Sequence, residues 1–209
     1  LNQIGNAIRQ SQQPLDEKTV VAGLKQALEV ASKNTVSQTS KVGGFSNNPL
    51  IKIAIPEKLN KTANTLKKIG LGHYVDQFEV QMNRAAETAS VEAQAIFINS
   101  ISKMSLADGW NILRGADDAA TQYFKVTTGQ QLSNKFKPVI TKSMKNVGFY
   151  DDYKKLLNAY DAIPFTEKPD LNIENYILEQ SLSGLFVLVA QEEKKIRENP
   201  LHRVTDILS

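Results

Sequence analysis

Apolar residues recur at spacings of three and four along most of the chain, which is typical of amphipathic helices that bury one face. The first stripe follows Asp16 and predicts a helix over residues 16–40. Four more stripes predict helices that begin near Glu57, His73, Ser90 and Ser105. Gly70 and Gly115 follow the last apolar positions of two of them and predict their ends, and Ser105 with Asp108 has the spacing of a capping box.

The second half of the chain continues the same helical pattern. Asp117 or Asp118 is expected to cap a short helix, and Thr128 is expected to begin another one that Pro138 kinks or interrupts. Gly148 precedes a short amphipathic segment. A linker at residues 163–171 leads to Asn172, which is predicted to cap a long helix over residues 173–198 that Asn199-Pro200 terminates.

One segment departs from the helical pattern. Glycine, asparagine and proline are concentrated at residues 42–49, and Ile51, Ile53 and Ile55 then alternate with period two, which is typical of an extended segment with one face on the core. We expect an ordered extended loop or a short edge strand here. The predicted fold class is all-α: a single compact multi-helix bundle over residues 16–209, with a long buried C-terminal helix, an extended loop near residues 43–56 and a flexible segment at residues 1–15.

The composition narrows the functional classes. The chain has 209 residues, a net charge of +3 and no cysteine, so thiolate chemistry and cysteine-based metal sites are excluded and nucleic acid is not an expected partner. The two histidines, His73 and His202, lack the spacing of paired metal ligands, and no phosphate-binding or serine-hydrolase motif is present. We expect no cofactor and no metal. The longest apolar run, residues 182–190, is about half the roughly 20 residues that span a bilayer.

The segment around Gly115 carries the densest group of polar side chains. Arg114, Asp117, Asp118, Thr121 and Tyr123 lie between two predicted helices. A carboxylate–guanidinium site that binds a polar ligand or performs acid–base chemistry is one interpretation. A helix cap with a structural ion pair is the interpretation we favour, because helix starts commonly contain Asp.

Two further groups are candidates for a site. Asn83 and Glu87 share a helix face with Arg84 nearby, where a surface salt bridge is the simpler interpretation. Glu193 lies one turn from Val189 and from Arg197, which predicts a partly buried, paired carboxylate. These groups are expected either to tie helices together or to share a pocket near Gly115, and an enzyme that uses Glu87, Asp117, Asp118 and Glu193 is the alternative.

Lysines concentrate on two helices and raise the possibility of binding to anionic lipid. Lys58, Lys61, Lys67 and Lys68 lie on the earlier helix, and Lys135, Lys137, Lys142 and Lys145 lie on the later one. Because aromatic anchors do not alternate with these lysines, a solvated surface is favoured over peripheral membrane association.

A combination of short motifs resembles a known family. They are Gly43-Gly44-Phe45, Asn47-Asn48-Pro49, Ile53 to Pro56, Met82 to Glu87, Ile112 to Gly115, Ala119 to Phe124 and Ile196 to Pro200. Together they resemble the bacterial family catalogued as domain of unknown function 4197. The resemblance implies an exported protein, often with a signal segment or lipoprotein anchor, and supplies no catalytic residue. We therefore expect a non-catalytic periplasmic or envelope protein that binds a polar or amphiphilic small ligand or a protein partner.

Overall fold

The chain folds into an all-α bundle, as predicted. The computed structural model describes residues 16–146, 148–158 and 171–198, and no strand occurs among them. The helices are α1 (Glu17–Ser40), α2 (Asn60–Lys68), α3 (Gly72–Ser90), α4 (Ala93–Lys103), α5 (Leu106–Arg114), α6 (Ala119–Asn146), α7 (Phe149–Asn158) and α8 (Ile173–Glu198), with a 3₁₀ turn at Glu57–Leu59 before α2. The predictions for residues 1–15, most of the 163–171 linker and Asn199-Pro200 lie outside the described residues.

The C-terminal helix α8 lies at the centre of the bundle, as its apolar pattern predicted. It packs against α6, α1 and α3. Ile177, Leu185 and Leu188 on this helix are almost completely buried. Asn172 caps its start by accepting a hydrogen bond from the Asn175 N–H at 3.0 Å. The inner face of α8 therefore packs against three other helices.

Several predicted helix ends are confirmed by their local geometry. Gly70, after α2, has a φ of +80°, a left-handed conformation that glycine adopts at little cost. At the start of α5, Ser105 Oγ accepts from the Asp108 N–H at 3.1 Å, and Asp108 Oδ2 accepts from the Ser105 N–H at 2.9 Å. The capping box read from the sequence is therefore formed.

The capping box makes stability depend on pH in a defined direction. Hydrogen bonds from the Ser105 hydroxyl and N–H hold the pKa of Asp108 below its usual value of 3.8. A depressed folded-state pKa means that the carboxylate stabilises the fold above pH 4 and that this stabilisation is lost as the pH falls through the folded-state pKa. We expect Asp108→Asn to cost about 1 kcal/mol at neutral pH and to be nearly neutral in acid. Urea unfolding at both pH values measures the difference, and an equal loss at both would contradict it.

Two predicted helix starts are wrong for the same physical reason. Ser90 is the last residue of α3 and its hydroxyl donates to the Ala86 carbonyl at 2.8 Å, so the next helix begins at Ala93 without it. Thr128 lies inside α6 and donates to the Phe124 carbonyl at 2.6 Å. Each hydroxyl is satisfied by the preceding turn and does not cap a new helix.

Pro138 does not interrupt α6, which was one of the two effects expected of it. Helix α6 runs from Ala119 to Asn146 with Pro138 inside it. Phe136 and Ile140, on either side of the proline, are buried in the core. Burial of apolar side chains on both sides offsets the loss of one backbone hydrogen bond at the proline.

The segment at residues 51–56 is an extended loop, one of the two forms expected. Ile51 and Ile53 are buried and Ile55 is half-buried, whereas Lys52 and Ala54 between them are exposed. The period-two pattern therefore identified the core-facing side chains correctly. Among the described residues, no helix has the length and apolar character needed to cross a bilayer.

Candidate functional site

The side chain of Asn83, on α3, forms hydrogen bonds with main-chain atoms of the extended loop. Its side-chain oxygen accepts from the Ile53 N–H at 2.9 Å, and its side-chain nitrogen donates to the Ile53 carbonyl at 2.8 Å. The same nitrogen also donates to the Glu79 carbonyl at 2.8 Å. The carboxamide thus satisfies both main-chain polar groups of a buried residue, the role that a neighbouring strand has in a sheet.

Glu87, one turn further along α3, binds the start of the same loop. It is 1 % exposed, accepts from the Phe45 N–H at 3.2 Å, and pairs with Arg84 at 2.9 Å. The pair is therefore not the surface salt bridge of the simpler interpretation, because its acidic partner is buried. Phe45 in turn lies against α8, where a side chain on Gly184 would come within 2.8 Å of the Phe45 ring. This cluster ties the loop between α3 and α8.

Glu193 on α8 caps the N-terminus of α6 from outside that helix. Its carboxylate accepts from the N–H groups of Ala120 at 2.9 Å and Thr121 at 2.8 Å, and from the Thr121 hydroxyl at 2.7 Å. Arg197 donates to the same carboxylate at 2.8 Å and to the Asp117 carbonyl at 3.0 Å. The predicted burial and pairing of Glu193 are confirmed, and the N-cap function expected of Asp117 or Asp118 is provided by Glu193.

The other predicted residues near Gly115 have separate contacts. Asp118 accepts from the Gln122 side chain at 2.8 Å, and the Arg114 guanidinium lies 4.6 Å from the Trp110 ring centre. The Tyr123 hydroxyl lies 3.4 Å from the Ser100 carbonyl, and burial raises the pKa of Tyr123. Arg114, Asp117 and Asp118 are exposed. The expected pairing of Arg114 with an aspartate is replaced by stacking on Trp110.

Five of the nine predicted site residues thus form a loop-binding cluster and a cap cluster with different partners. Asn83 and Glu87 bind the loop and Arg84 pairs with Glu87, whereas Thr121 and Glu193 join α6 to α8. Within each cluster the polar groups bond main-chain atoms of the fold itself. These five residues therefore connect elements of the fold to one another.

A groove with two clefts lies between α6 and α8. One cleft of about 760 Å³ is lined by Ser133, Asn134, Lys137, Pro138, Asn175, Leu178, Glu179 and Leu182. A second cleft of about 200 Å³ is lined by Asp118, Thr121, Lys125, Ser183, Phe186, Val187 and Ala190. Both clefts lie between the same two antiparallel helices, and their linings follow one another at helical spacing along α6 and α8.

The larger cleft combines an apolar floor with charged walls. Leu178 is buried, and Leu182 is half-buried beside it. Lys137 stands on the α6 wall and Glu179 on the α8 wall, and both are exposed. Neither has an ion pair within the described parts of the chain. The Asn134 carbonyl, four residues before Pro138, also lacks the helical N–H that would otherwise bond it, because proline has none.

Two of the predicted site residues, Asp118 and Thr121, line the smaller cleft, whereas none of the nine lines the larger one. Lys137 was assigned to a solvated helix face, and Glu179 was not singled out. One signal was available: Thr121, Lys125, Gly129, Ser133 and Lys137 recur every four residues, forming a stripe of small and polar side chains along α6. At Gly129 no atom lies within 4 Å of the position that a side chain would occupy.

Fold and site together define an all-α bundle with internally satisfied polar clusters and an open interhelical groove. The chain belongs to the family described as "Protein of unknown function (DUF4197)", whose pattern matches residues 14–209. The family that the sequence motifs indicated is thereby confirmed. Among curated proteins and solved structures, none matches this chain.

Proposed function

We propose that the protein is a non-catalytic binding protein of the bacterial envelope, and that an amphiphilic small molecule binds in the groove between α6 and α8. The observation that carries the proposal is the larger cleft, with its apolar floor between Lys137 and Glu179. Its volume of about 760 Å³ lies within the range of small-molecule sites. A few polar groups around an apolar surface are also the usual composition of such sites.

The charges of the groove indicate the chemical class of the ligand. A cation on one wall and an anion on the other favour a headgroup that carries both signs, because each wall then neutralises one charge. The apolar floor favours a hydrocarbon body, since burial of apolar surface is the main favourable term in such binding. A zwitterionic amphiphile satisfies both conditions.

The buried carboxylates support a binding protein rather than an enzyme. Both oxygens of Glu193 are engaged, one by the Ala120 N–H and Arg197 and the other by the Thr121 N–H and hydroxyl. A general acid or base must exchange a proton with substrate within hydrogen-bond distance. These oxygens instead satisfy donors of the fold, which favours a structural role.

The envelope location rests on the family resemblance, which implies export. Fractionation of bacteria that express the natural gene tests it directly. We expect the protein in the periplasmic or membrane fraction, together with a marker enzyme of the envelope. Recovery with cytosolic markers alone would contradict the proposed location without affecting the proposed groove.

Binding of dodecylphosphocholine, a zwitterionic amphiphile, tests the groove. Titration calorimetry below the micelle concentration is expected to give saturable binding to the native chain. Lys137→Glu should weaken this binding about tenfold, because it removes the attraction for the phosphate and places two like charges on opposite walls.

Lys135→Glu is the matched control, since Lys135 is an exposed lysine of the same helix that does not line the cleft. It changes the net charge by the same amount and should leave the affinity within about twofold. Equal weakening by both variants, or no saturable binding by the native chain, would rule out the proposed site.

A further inference from the structure

The turn between α2 and α3 exposes apolar side chains at its tip. Ile69 is 63 % exposed and Leu71 is 37 % exposed, on either side of Gly70. No atom lies within 4 Å of the position that a side chain on Gly70 would occupy, so the turn projects from the bundle into open space. Two large aliphatic side chains exposed side by side on a turn form an apolar tip that can contact another molecule or surface.

Cationic side chains lie along the helix that leads to this tip. Lys61 and Lys68 are two helical turns apart on α2 and share its exposed face, opposite the buried Ala63 and Leu66. Neither lysine has an ion pair within the described residues. Lys67, by contrast, lies 3.7 Å from Asp76, so its charge is partly balanced. We refer to Lys61, Lys68, Ile69 and Leu71 as the turn patch.

The rim of the turn carries an aromatic ring and a further lysine. Tyr74, in the first turn of α3, is half-buried, and the Lys155 ammonium lies 4.9 Å from its ring centre. Lys155 is also 3.2 Å from the Asp152 carboxylate, so its charge is partly balanced. His73 lies beside Tyr74, with ring centres 4.0 Å apart and ring planes tilted by 38°. Aromatic rings with a polar edge, together with lysines, are typical of protein surfaces that lie at a lipid–water boundary.

We propose that the turn patch docks the protein on an anionic lipid surface, with Ile69 and Leu71 inserted among the acyl chains and Lys61 and Lys68 at the phosphate level. Charge complementarity identifies the occupant, because the aliphatic tip is adjacent to two cations that lack partners in the described fold. In the sequence, no apolar or aromatic side chains that could insert into lipid alternate with these lysines along the helix, so a solvated surface was favoured. In the structure, the side chains that can insert are Ile69 and Leu71 of the turn at the end of that helix.

Sedimentation of the 209-residue chain with vesicles tests this inference. Binding is expected to vesicles of equal parts phosphatidylglycerol and phosphatidylcholine, and not to phosphatidylcholine alone. The double variant Ile69→Ser, Leu71→Ser should lower the partition coefficient at least tenfold, and Lys61→Gln with Lys68→Gln should lower it more than tenfold, at about fivefold for each lysine. Added salt should reverse the binding.

Matched controls separate docking from general effects. Val126→Ser removes an aliphatic side chain that is 85 % exposed on α6, and Lys135→Gln with Lys142→Gln removes two exposed lysines of that helix. These variants should bind vesicles as the native chain does, and all variants should keep their melting temperatures. Absence of binding to the anionic vesicles, or an equal loss with the controls, would overturn the proposal. So would a change of oligomeric state on substitution of the turn without any change in lipid binding, because a second copy would then be the occupant.

Discussion

Replacement of Glu193 by alanine is expected to lower the free energy of unfolding by about 3 kcal/mol. The substitution leaves the N–H groups of Ala120 and Thr121 without their acceptor in a buried site, and it removes the anionic partner of Arg197. Arg197 is 23 % exposed and regains water in part, so the loss falls at the lower end of the range for buried pairs. Urea denaturation measures the change.

Two variants show whether this loss comes from the cap. Glu193→Gln keeps one acceptor oxygen and the side-chain volume, so it should lose roughly half as much stability. Glu198→Ala is the control, because it removes a carboxylate of the same helix that is 65 % exposed and lies 3.6 Å from Lys194. This substitution should lower the free energy of unfolding by less than about 0.5 kcal/mol. A loss for Glu193→Ala no larger than that for Glu198→Ala would show that α6 does not depend on this carboxylate.

Replacement of Asn83 by alanine is expected to cost about 3 kcal/mol as well, through the extended loop. The N–H and carbonyl of Ile53 both lose their hydrogen-bond partner, and Ile53 is 1 % exposed. Hydrogen exchange of the Ile53 amide should rise by a larger factor than exchange in the core of α8, because the loop is released locally. Exchange rates measured by NMR test both parts of the expectation.

Asn83→Asp separates the two halves of this interaction. The aspartate still accepts from the Ile53 N–H but cannot donate to the carbonyls of Ile53 and Glu79, so it should destabilise at neutral pH at least as much as alanine. Asn64→Ala, at an exposed position of α2, is the control and should be neutral or slightly stabilising. Full stability of Asn83→Asp would mean that the amide nitrogen contributes nothing.

Helix positions were predictable because they depend on local patterns. The bounds of α1 and α8, the glycine end of α2 and the capping box of α5 all follow from a few neighbouring residues. The errors occurred at Ser90 and Thr128, whose hydroxyls suit either a cap or a bond to the preceding turn. Burial decides between these two uses, and burial depends on the rest of the fold.

The polar clusters were predictable as groups of residues but not in their partners. The sequence placed Asn83 and Glu87 on one helix face, yet it contained no sign that both bind a loop about 30 to 40 residues earlier in the chain. Likewise, the pairing of Glu193 with Arg197 followed from helical spacing, whereas its bonds to Ala120 and Thr121 join residues more than 70 positions apart. Such contacts are set by tertiary structure alone.

The larger cleft could not be predicted from the sequence because it is formed jointly by two helices. Lys137 on α6 is unremarkable among the neighbouring lysines, and Glu179 on α8 is one of several glutamates. Their relation appears only when α6 and α8 lie side by side with Leu178 and Leu182 between them. The account therefore separates two kinds of polar residue: buried ones that hold the fold together and exposed ones that are available to a ligand.

Amide chemical-shift mapping during titration with dodecylphosphocholine tests this separation most directly. The account predicts that the largest shifts fall in residues 133–138 of α6 and 175–182 of α8, which line the larger cleft. Amides around Glu87 and Glu193 should move little, because their hydrogen bonds belong to the fold. Shifts centred on those two carboxylates, with residues 133–138 and 175–182 unchanged, would contradict the account.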